Sequence, residues 1–352
     1  HLFYHPYGNI SVYKWCYRLD RAGDTKFGSI ACGFQLRVPS SCNDGHGRHF
    51  FTGGGQYFPG TFSRGSAIGN TYGFYRCSLL YNTTIQRLEG IKVKLDLDEV
   101  TVGYKGVPVL KDVSFSLNAG EVLCILGPNG SGKTTLFKTI MKLKQPITGM
   151  ISIDGRDISS WPFDKIAGYI GYIPQNYSPV FPYTALEMVL MGRTPRLGMC
   201  SIPKAKDIEI AMESMKTLNI LPLKDKAFTK ISGGERQLVL IARAIAQQTK
   251  LLIMDEPTNN LDFGNQALIL NQIKKLSQKG MAVIMATHVP EHAFLYADKA
   301  LMVKDGDVLA YGKSKDVLSE ENLRKLYRVN LKLMPVVSES YPSFKVCIPG
   351  VV

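Results

Sequence analysis

The stretch that decides the fold is GEVLCILGPNGSGKTTLFKTIMKL, residues 120–143. Five apolar residues, Val122 to Leu126, predict a buried strand, and the apolar spacing after the glycines predicts a helix that begins at Lys133. Between them, residues 127–134 form the pattern G-x-x-x-x-G-K-[ST]. A strand that runs through such a loop into a helix is the context in which this pattern binds nucleotide phosphates. The sequence therefore predicts an α/β protein with a phosphate-binding loop.

The residue types in this loop suit phosphate binding. Glycines let backbone N–H groups converge on phosphate oxygens, and the N-terminus of the following helix carries partial positive charge. We expect the Lys133 ammonium to reach the β- and γ-phosphates and the Thr134 hydroxyl to bind Mg²⁺. The candidate ATP-binding residues of the loop are Asn129, Gly130, Ser131, Gly132, Lys133, Thr134 and Thr135. An ordinary glycine-rich turn would lack the strand and the helix that flank this one.

A second apolar strand precedes the candidate catalytic carboxylate. Residues 251–254, LLIM, are followed by Asp255 and Glu256. A run of apolar residues of this length is typical of a strand that is buried on both faces of a parallel sheet. At the end of such a strand we expect Asp255 to hold Mg²⁺ and Glu256 to polarise the water that attacks the γ-phosphate.

The segment ISGGERQ, residues 231–237, lies between these two regions. Ser232 and Glu235 form the S-x-x-E capping box of a helix N-terminus, and apolar residues follow at helical spacing. Together with the phosphate-binding loop and the strand before Asp255, this segment resembles the signature of ABC ATPases. The resemblance implies an ABC cassette of the P-loop NTPase class, with a RecA-like core, an antiparallel β subdomain and a helical subdomain. It also implies a contact with the ATP of a second subunit through Ser232, Gly233, Gly234 and Glu235.

Four further residues follow the order of the family's motifs. Tyr104 matches the aromatic residue that stacks on adenine, and Gln175 matches the Q-loop glutamine that contacts Mg²⁺ and the attacking water. Asp262 matches the D-loop, and His288 matches the switch histidine that contacts the γ-phosphate. Taken singly, each also fits a core aromatic, a loop residue, a turn residue or a buried histidine. The resemblance implies catalytic roles for Glu256, His288 and Gln175 and Mg²⁺ ligation by Thr134, Gln175 and Asp255.

Other segments resemble one branch of the family, the ATPase subunits of importers for iron–siderophore complexes, haem and cobalamin. They are VLMGRTPRLG (189–198), DEPTNNLDFGNQ (255–266) and YADKALMVKDGDVLAYG (296–312). The stretch from Tyr183 to Met191, followed by Gly192 and Arg193, resembles the surface on which importer ATPases receive the coupling helix of a permease. The alternatives are the ATPase of another transport system, such as an exporter, and a non-transport ABC ATPase.

This resemblance also implies cofactors, partners and a location. The expected cofactors are ATP and Mg²⁺. The expected partners are a second copy of the chain, two membrane permease subunits and, indirectly, an external substrate-binding protein, with no nucleic acid. The expected location is the cytoplasmic face of the plasma membrane, as a peripheral subunit.

The composition is that of a globular protein with an anionic partner. Of the 352 residues, 45% are apolar and 20% charged, which excludes wholesale disorder. The net charge of +13 favours a nucleotide, a nucleic acid or an anionic membrane surface as partner. No apolar run approaches the about 18–20 residues that span a bilayer. The seven cysteines show no C-x-x-C spacing, so neither a zinc site nor a redox pair is indicated.

The first ninety residues differ from the rest of the chain. They hold 14 of the 33 glycines and lack a sustained helical or strand period, although Val12 and its neighbours fit a short strand. The first methionine is Met141, inside the nucleotide-binding region. We therefore interpret residues 1 to about 88 as a non-native extension, either mis-assigned upstream sequence or a wrong-frame translation, with the true start near Leu88 or Val93. The alternative is an accessory module.

The expected domain organisation follows from this division. An irregular segment covers residues 1–90, and the ATPase domain covers residues 91–345. Its helical subdomain is expected at about residues 176–232. Residues 346–352 are expected to form a tail.

Overall fold

The structure is a computed structural model, which describes residues 11–15, 33–37, 93–175, 177, 179, 181–197, 201–336 and 344–350. The chain divides into two compact units, residues 1–85 and residues 86–352. In the first unit, strand β1 (Ser11–Trp15) pairs antiparallel with strand β2 (Gly33–Arg37). The short strand expected around Val12 is therefore present. Apart from β1 and β2, the predicted irregular segment of residues 1–90 lies outside the described residues.

The second unit contains the following elements. Its strands are β3 (Lys94–Tyr104), β4 (Val107–Asn118), β5 (Val122–Leu126), β6 (Thr148–Ile153), β7 (Arg156–Asp157), β8 (Ile170–Ile173), β9 (Leu251–Asp255), β10 (Ala282–Thr287), β11 (Lys299–Lys304), β12 (Asp307–Lys313), β13 (Leu331–Val336) and β14 (Phe344–Pro349). Its α-helices are α1 (Lys133–Ile140), α2 (Phe163–Tyr169), α3 (Ala185–Leu190), α4 (Ala205–Thr217), α5 (Gly233–Gln247), α6 (Phe263–Gln278), α7 (Pro290–Tyr296), α8 (Ser314–Val317) and α9 (Glu320–Tyr327). Short 3-10 helices span Ile158–Ser160, Met191–Arg196, Leu221–Leu223 and Phe228–Lys230.

The central sheet has the strand order β12-β11-β5-β10-β9-β8. Strands β8, β9, β10, β5 and β11 run parallel, and β12 joins β11 antiparallel. Every residue of β5, β9 and β10 is buried, as their continuous apolar sequences predict. Because the carboxyl ends of parallel strands share one edge, the segments that follow β5, β8, β9 and β10 lie side by side. That edge carries the phosphate-binding loop, Gln175, Glu256 and His288.

The second sheet is antiparallel, with the order β4-β3-β6-β7. Its apolar face shares one core with the central sheet, because Leu95 of β3, Phe137 of α1 and Ile253 of β9 belong to the same buried cluster. Trp161 lies in this cluster too, edge-on to the ring of Tyr169 with 5.0 Å between ring centroids. The expected antiparallel β subdomain is confirmed.

The segment between β8 and β9 is helical and packs around α5. Arg193 was expected at the permease-receiving surface, but it is buried and only 7% exposed. Its Nε donates to Asp207 Oδ1 at 3.0 Å, and its Nη1 donates to the Ala246 carbonyl at 2.7 Å. A Cβ on Gly192 would lie 2.1 Å from the Arg243 carbonyl oxygen, so this glycine packs directly on α5. The surface expectation for Gly192 and Arg193 is therefore wrong, because partners distant in sequence satisfy the guanidinium inside the fold.

Strands β13 and β14 form an antiparallel hairpin near the end of the chain. The predicted boundary between domain and tail, after residue 345, falls inside β14. Across the residues that the structure describes, no helix combines the length and apolar character needed to cross a membrane.

Candidate nucleotide-binding site

The phosphate-binding loop leaves the carboxyl end of β5 and enters α1 at Lys133. Gly130 and Gly132 have φ of +82° and +96°, in the left-handed region that glycine tolerates best. At Gly132 a Cβ would also lie 3.0 Å from Leu110 Cβ. Helix α1 begins without a side-chain cap and without an acidic residue in its first turn. The N-terminus of α1 is therefore available to an anion.

Lys133 lies buried beneath this loop. Its Nζ donates to the carbonyl oxygens of Gly127 at 2.7 Å and Pro128 at 2.9 Å. Burial lowers the pKa of Lys133, while the Glu256 and Asp255 carboxylates act in the opposite direction. A phosphate group would supply the compensating negative charge that carbonyl oxygens do not.

Thr134 and Asp255 meet across 121 residues of sequence, because β5 and β9 end at the same edge of the sheet. Thr134 Oγ1 donates to Asp255 Oδ2 at 2.6 Å. Burial raises the pKa of Asp255, and the nearby Glu256 carboxylate adds to that rise, whereas the Thr134 hydrogen bond opposes it. A hydroxyl and a carboxylate are hard oxygen ligands of the kind that Mg²⁺ prefers, and a cation would offset the repulsion between the two acids. These residues fit a Mg²⁺ ion.

Glu256 is the centre of a polar cluster directly after β9. Gln175 Nε2 donates to Glu256 Oε2 at 2.8 Å, and Asn259 Nδ2 donates to the same oxygen at 3.3 Å. His288 Nδ1 lies 3.6 Å from that oxygen. The Glu256 side chain is 7% exposed, and its φ of +48° is unusual for a residue with a side chain. The arrangement can orient one carboxylate oxygen toward a water molecule.

Tyr104 ends β3 beside the loop and is 44% exposed. Its hydroxyl accepts a long hydrogen bond of 3.4 Å from Thr135 Oγ1. Lys144 Nζ lies 3.7 Å from the ring centroid, in a cation–π contact. The exposed ring is placed at the mouth of the loop, where it can stack on a base.

The signature segment, residues 231–237, forms the start of α5. Glu235 N donates to Ser232 Oγ at 3.2 Å, and Ser232 N donates to Glu235 Oε2 at 2.8 Å, so the predicted capping box is confirmed. The hydrogen bonds from Ser232 lower the pKa of Glu235. A Cβ on Gly234 would lie 2.4 Å from the Asn265 side chain. The signature segment is therefore packed against the start of α6.

Asp262 caps α6. Its Oδ1 accepts from Asn265 N at 2.8 Å, and its Oδ2 accepts from Asn265 Nδ2 at 2.7 Å. The hydrogen bonds from Asn265 lower the pKa of Asp262. The structure thus joins Asp262 to Gly234 through Asn265, while Thr134, Asp255 and the Glu256 cluster gather at the sheet edge.

Sequence reasoning missed three residues of these clusters: Asn259, Lys144 and Asn265. Asn259 lies three residues after Glu256 in a turn closed by a backbone hydrogen bond, and Asn265 lies three residues after the cap Asp262. In both cases, the three-residue spacing from a predicted site residue could have indicated the contact. Lys144 lies forty residues from Tyr104, so no local pattern indicated its contact.

Comparison with known proteins decides the family. The ABC transporter family model matches residues 110–259. An uncharacterised ABC transporter ATP-binding protein of Haemophilus influenzae is 40% identical over 240 residues, which cover 68% of this chain and 91% of that protein. The chain belongs to the ABC transporter ATP-binding family. It is an ATPase, as the sequence predicted.

Two further members of the ABC family have named cargoes. The molybdate import ATP-binding protein of Haemophilus influenzae is 36% identical over 222 residues, covering 63% of this chain and 82% of that protein. The hemin import ATP-binding protein of Rhodococcus jostii is 36% identical over 236 residues, covering 67% of this chain and 80% of that protein.

Solved ABC structures have the same fold. One, assigned to the metal-chelate type of ABC transporter and seen in an inward-facing conformation, is 32% identical with a TM-score of 0.67, and the match covers 74% of this chain and 98% of that one. An ATP-binding cassette in its ADP conformation is 27% identical with a TM-score of 0.61, covering 68% and 99%. The predicted P-loop ABC cassette is confirmed, with ATP as its nucleotide.

Proposed function

We propose that this ATPase energises the import of a metal chelate, such as an iron–siderophore complex, haem or cobalamin, through a separate membrane permease. The hemin import relative and the metal-chelate-type structure support this cargo class. Molybdate is the second candidate cargo, because the molybdate import relative is equally identical at 36%. The observation that carries the catalytic part is the Glu256 cluster beside the phosphate-binding loop.

In the proposed mechanism, the loop and α1 bind the phosphates of ATP. Lys133 turns from the carbonyls of its own loop to the β- and γ-phosphates, and the backbone N–H groups of residues 130–135 complete the cradle. Tyr104 stacks on the adenine. Thr134, Asp255 and Gln175 would hold Mg²⁺, which when bound neutralises charge on the phosphate oxygens.

The proton from the attacking water passes to Glu256. The Glu256 carboxylate is oriented by Gln175 and Asn259, both of which donate to Oε2. His288 follows the neighbouring strand β10, with its Nδ1 3.6 Å from Glu256 Oε2, and its proposed role is to contact the γ-phosphate. Positioning by the Gln175 and Asn259 amides aligns the base before the phosphate arrives.

The second half of each site is proposed to come from another copy of the chain. One chain has one phosphate-binding loop and one signature segment. Two complete sites therefore need two chains that face each other head to tail, with Ser232 and its glycines toward the γ-phosphate of the other subunit. The dimer would lie at the cytoplasmic face of the membrane, beneath two permease subunits. An external binding protein would deliver the ligand to that permease.

Substituting Glu256→Gln tests the catalytic assignment. We expect the variant to retain ATP binding and to lose hydrolysis by about 10²–10³-fold or more, because the amide cannot accept the proton. Steady-state phosphate release and nucleotide binding would be measured side by side. Glu209→Gln, an exposed carboxylate on α4, is the control and should keep full turnover. Full turnover in Glu256→Gln would refute the assignment.

The cargo needs its own experiment. The chain would be purified with its permease, reconstituted into vesicles and supplied with ATP. We expect ATP-dependent uptake of an iron–siderophore complex, haem or cobalamin. Uptake of molybdate alone would replace the metal-chelate assignment with the second candidate.

A further inference from the structure

Residues outside the family's motifs hydrogen-bond to the backbone around His288. Tyr327, the last residue of α9, donates its hydroxyl to the His288 carbonyl oxygen at 2.8 Å. Thr287 Oγ1 accepts from Val289 N at 3.1 Å and lies 3.1 Å from His292 Nδ1. The backbone from Thr287 to the start of α7 is thus held by contacts that do not involve Glu256.

Tyr327 is itself fixed in place. Helix α9 is capped by Ser319, whose Oγ accepts from Asn322 N, and it ends at Arg328 with a φ of +56°. Burial raises the pKa of the Tyr327 hydroxyl, so this group remains a proton donor. Beside it, Cys347 N of β14 donates to Glu291 Oε1 of α7 at 3.1 Å. The C-terminal elements therefore contact both the His288 peptide and α7.

The His288 side chain depends on this support more than a packed side chain would. It is 52% exposed, and its Nδ1 lies 3.6 Å from Glu256 Oε2. Because little packing confines the ring, the positions that the imidazole can reach depend on where the backbone places the His288 Cα–Cβ bond. The orientation of that bond follows the peptide planes on either side, and Tyr327 holds one of these planes by its carbonyl.

We propose that Tyr327 is a positioning residue for ATP hydrolysis, which acts by holding the His288 peptide so that the imidazole faces Glu256 and the γ-phosphate. The inference rests on the proposed role of His288. Helix α9 follows all the sequence motifs of the family in the chain. The inference gives this helix a part in setting the geometry of the site.

The first test is the Tyr327→Phe variant of the full chain, which removes one hydroxyl and keeps the ring. We expect kcat to fall about three- to tenfold, since one oriented hydrogen bond is lost, while KM for ATP changes by less than about twofold. The matched control is Tyr311→Phe, whose hydroxyl also donates to a backbone carbonyl, that of Ser116, at 2.8 Å. Tyr311→Phe should leave kcat unchanged. An unchanged kcat in Tyr327→Phe would overturn the inference.

A double-mutant comparison separates positioning from general stability. In single-turnover assays, Tyr327→Phe should cause no further loss in a His288→Ala background. An equal fractional loss in both backgrounds would overturn the inference. If His288→Ala itself keeps full turnover, the proposed role of His288 fails instead. If His288→Ala loses turnover and Tyr327→Phe does not, the inference alone fails.

A spectroscopic readout does not depend on activity. The chain contains six histidines, so ¹⁵N-histidine labelling gives a resolvable set of imidazole signals, and His288→Ala assigns one of them. We expect the His288 signals to shift in Tyr327→Phe and to stay in place in Tyr311→Phe. Unchanged His288 signals in Tyr327→Phe would count against the proposal.

Discussion

Two helix N-termini in this ATPase are built in opposite ways. Helix α1 begins at Gly132 with no side-chain cap and no acidic residue in its first turn, and the Lys133 ammonium lies under its loop. Helix α5 begins at Ser232, where the capping box with Glu235 already satisfies N–H groups and adds a negative charge. Both ends are proposed to face phosphate.

The two helix ends therefore have separate roles in ATP binding and in turnover. The α1 terminus is prepared to bind an anion by itself, because its N–H groups and its cation have no stronger partner. The α5 terminus is stable without a ligand, so it adds to ATP binding only when a second subunit brings a phosphate to it. The α1 terminus should therefore govern ATP affinity, and the α5 terminus should govern turnover.

Among the changes at the two helix termini, Lys133→Ala should have the greatest effect, and it should act on ATP affinity. Removing the cation from the α1 terminus should weaken ATP binding by about 100-fold or more, because a charge-assisted contact to the phosphates is lost. Titration calorimetry with the isolated chain would measure it. Lys315→Ala, an exposed lysine on α8, is the control. An unchanged ATP affinity in Lys133→Ala would show that the α1 terminus does not govern affinity.

Ser232→Ala should act on turnover rather than on affinity. We expect kcat to fall about tenfold and the stability of the chain to fall by about 1 kcal/mol through loss of the cap, with ATP affinity of the single subunit nearly unchanged. Thr184→Ala removes an equivalent capping box at α3 and should cost similar stability without the loss of kcat. If Ser232→Ala weakened ATP binding as much as Lys133→Ala does, the two termini would not differ as proposed.

Local sequence signals were enough to predict both termini. The apolar run before Gly127, the glycine spacing and the S-x-x-E pattern at Ser232 are short-range features, and the structure has strands and helices where they indicate. That Gln175 and Glu256, 81 residues apart, share one site came from the family resemblance, and no local pattern indicated it. The strand order that brings them together was not predicted.

Long-range contacts were what the sequence could not reveal. The burial of Arg193 depends on Asp207, 14 residues away, and on a carbonyl 53 residues away. Likewise, Tyr327 meets the His288 carbonyl across 39 residues. Such pairs form because the fold brings them together, and neither side chain differs locally from an ordinary surface residue.

Two glycine substitutions test how tightly the loop before α1 is packed. Gly130→Ala and Gly132→Ala both place a side chain at positive φ, which should cost about 1–2 kcal/mol each. Gly132→Ala should lose about 1 kcal/mol more, because its Cβ would press on Leu110, whereas nothing lies within 4 Å of a Cβ on Gly130. Urea unfolding of the two variants measures the difference. Equal losses would show that Leu110 moves aside.

The smallest expected effect is the acid response of the α5 terminus. The pKa of Glu235 is lowered in the folded chain, so its stabilising contribution is present above its ordinary value of 4.5 and is lost as the pH falls below it. Because the group is largely solvated, we expect only a few tenths of a kcal/mol. Unfolding of the wild-type chain and of Glu235→Gln would be compared between about pH 6 and pH 3. A pH-independent difference between them would contradict the prediction.

The environment of Trp161 has an optical consequence. The chain contains two tryptophans, Trp15 and Trp161, so a Trp15→Phe chain would emit from a single buried indole. That indole lies edge-on to Tyr169, with the Lys165 ammonium 3.7 Å from its ring centroid. Tyr169 is the last residue before β8, the strand that leads to Gln175. Intrinsic fluorescence would therefore report, without an added dye, on movements of the backbone that connects the core to the Q-loop.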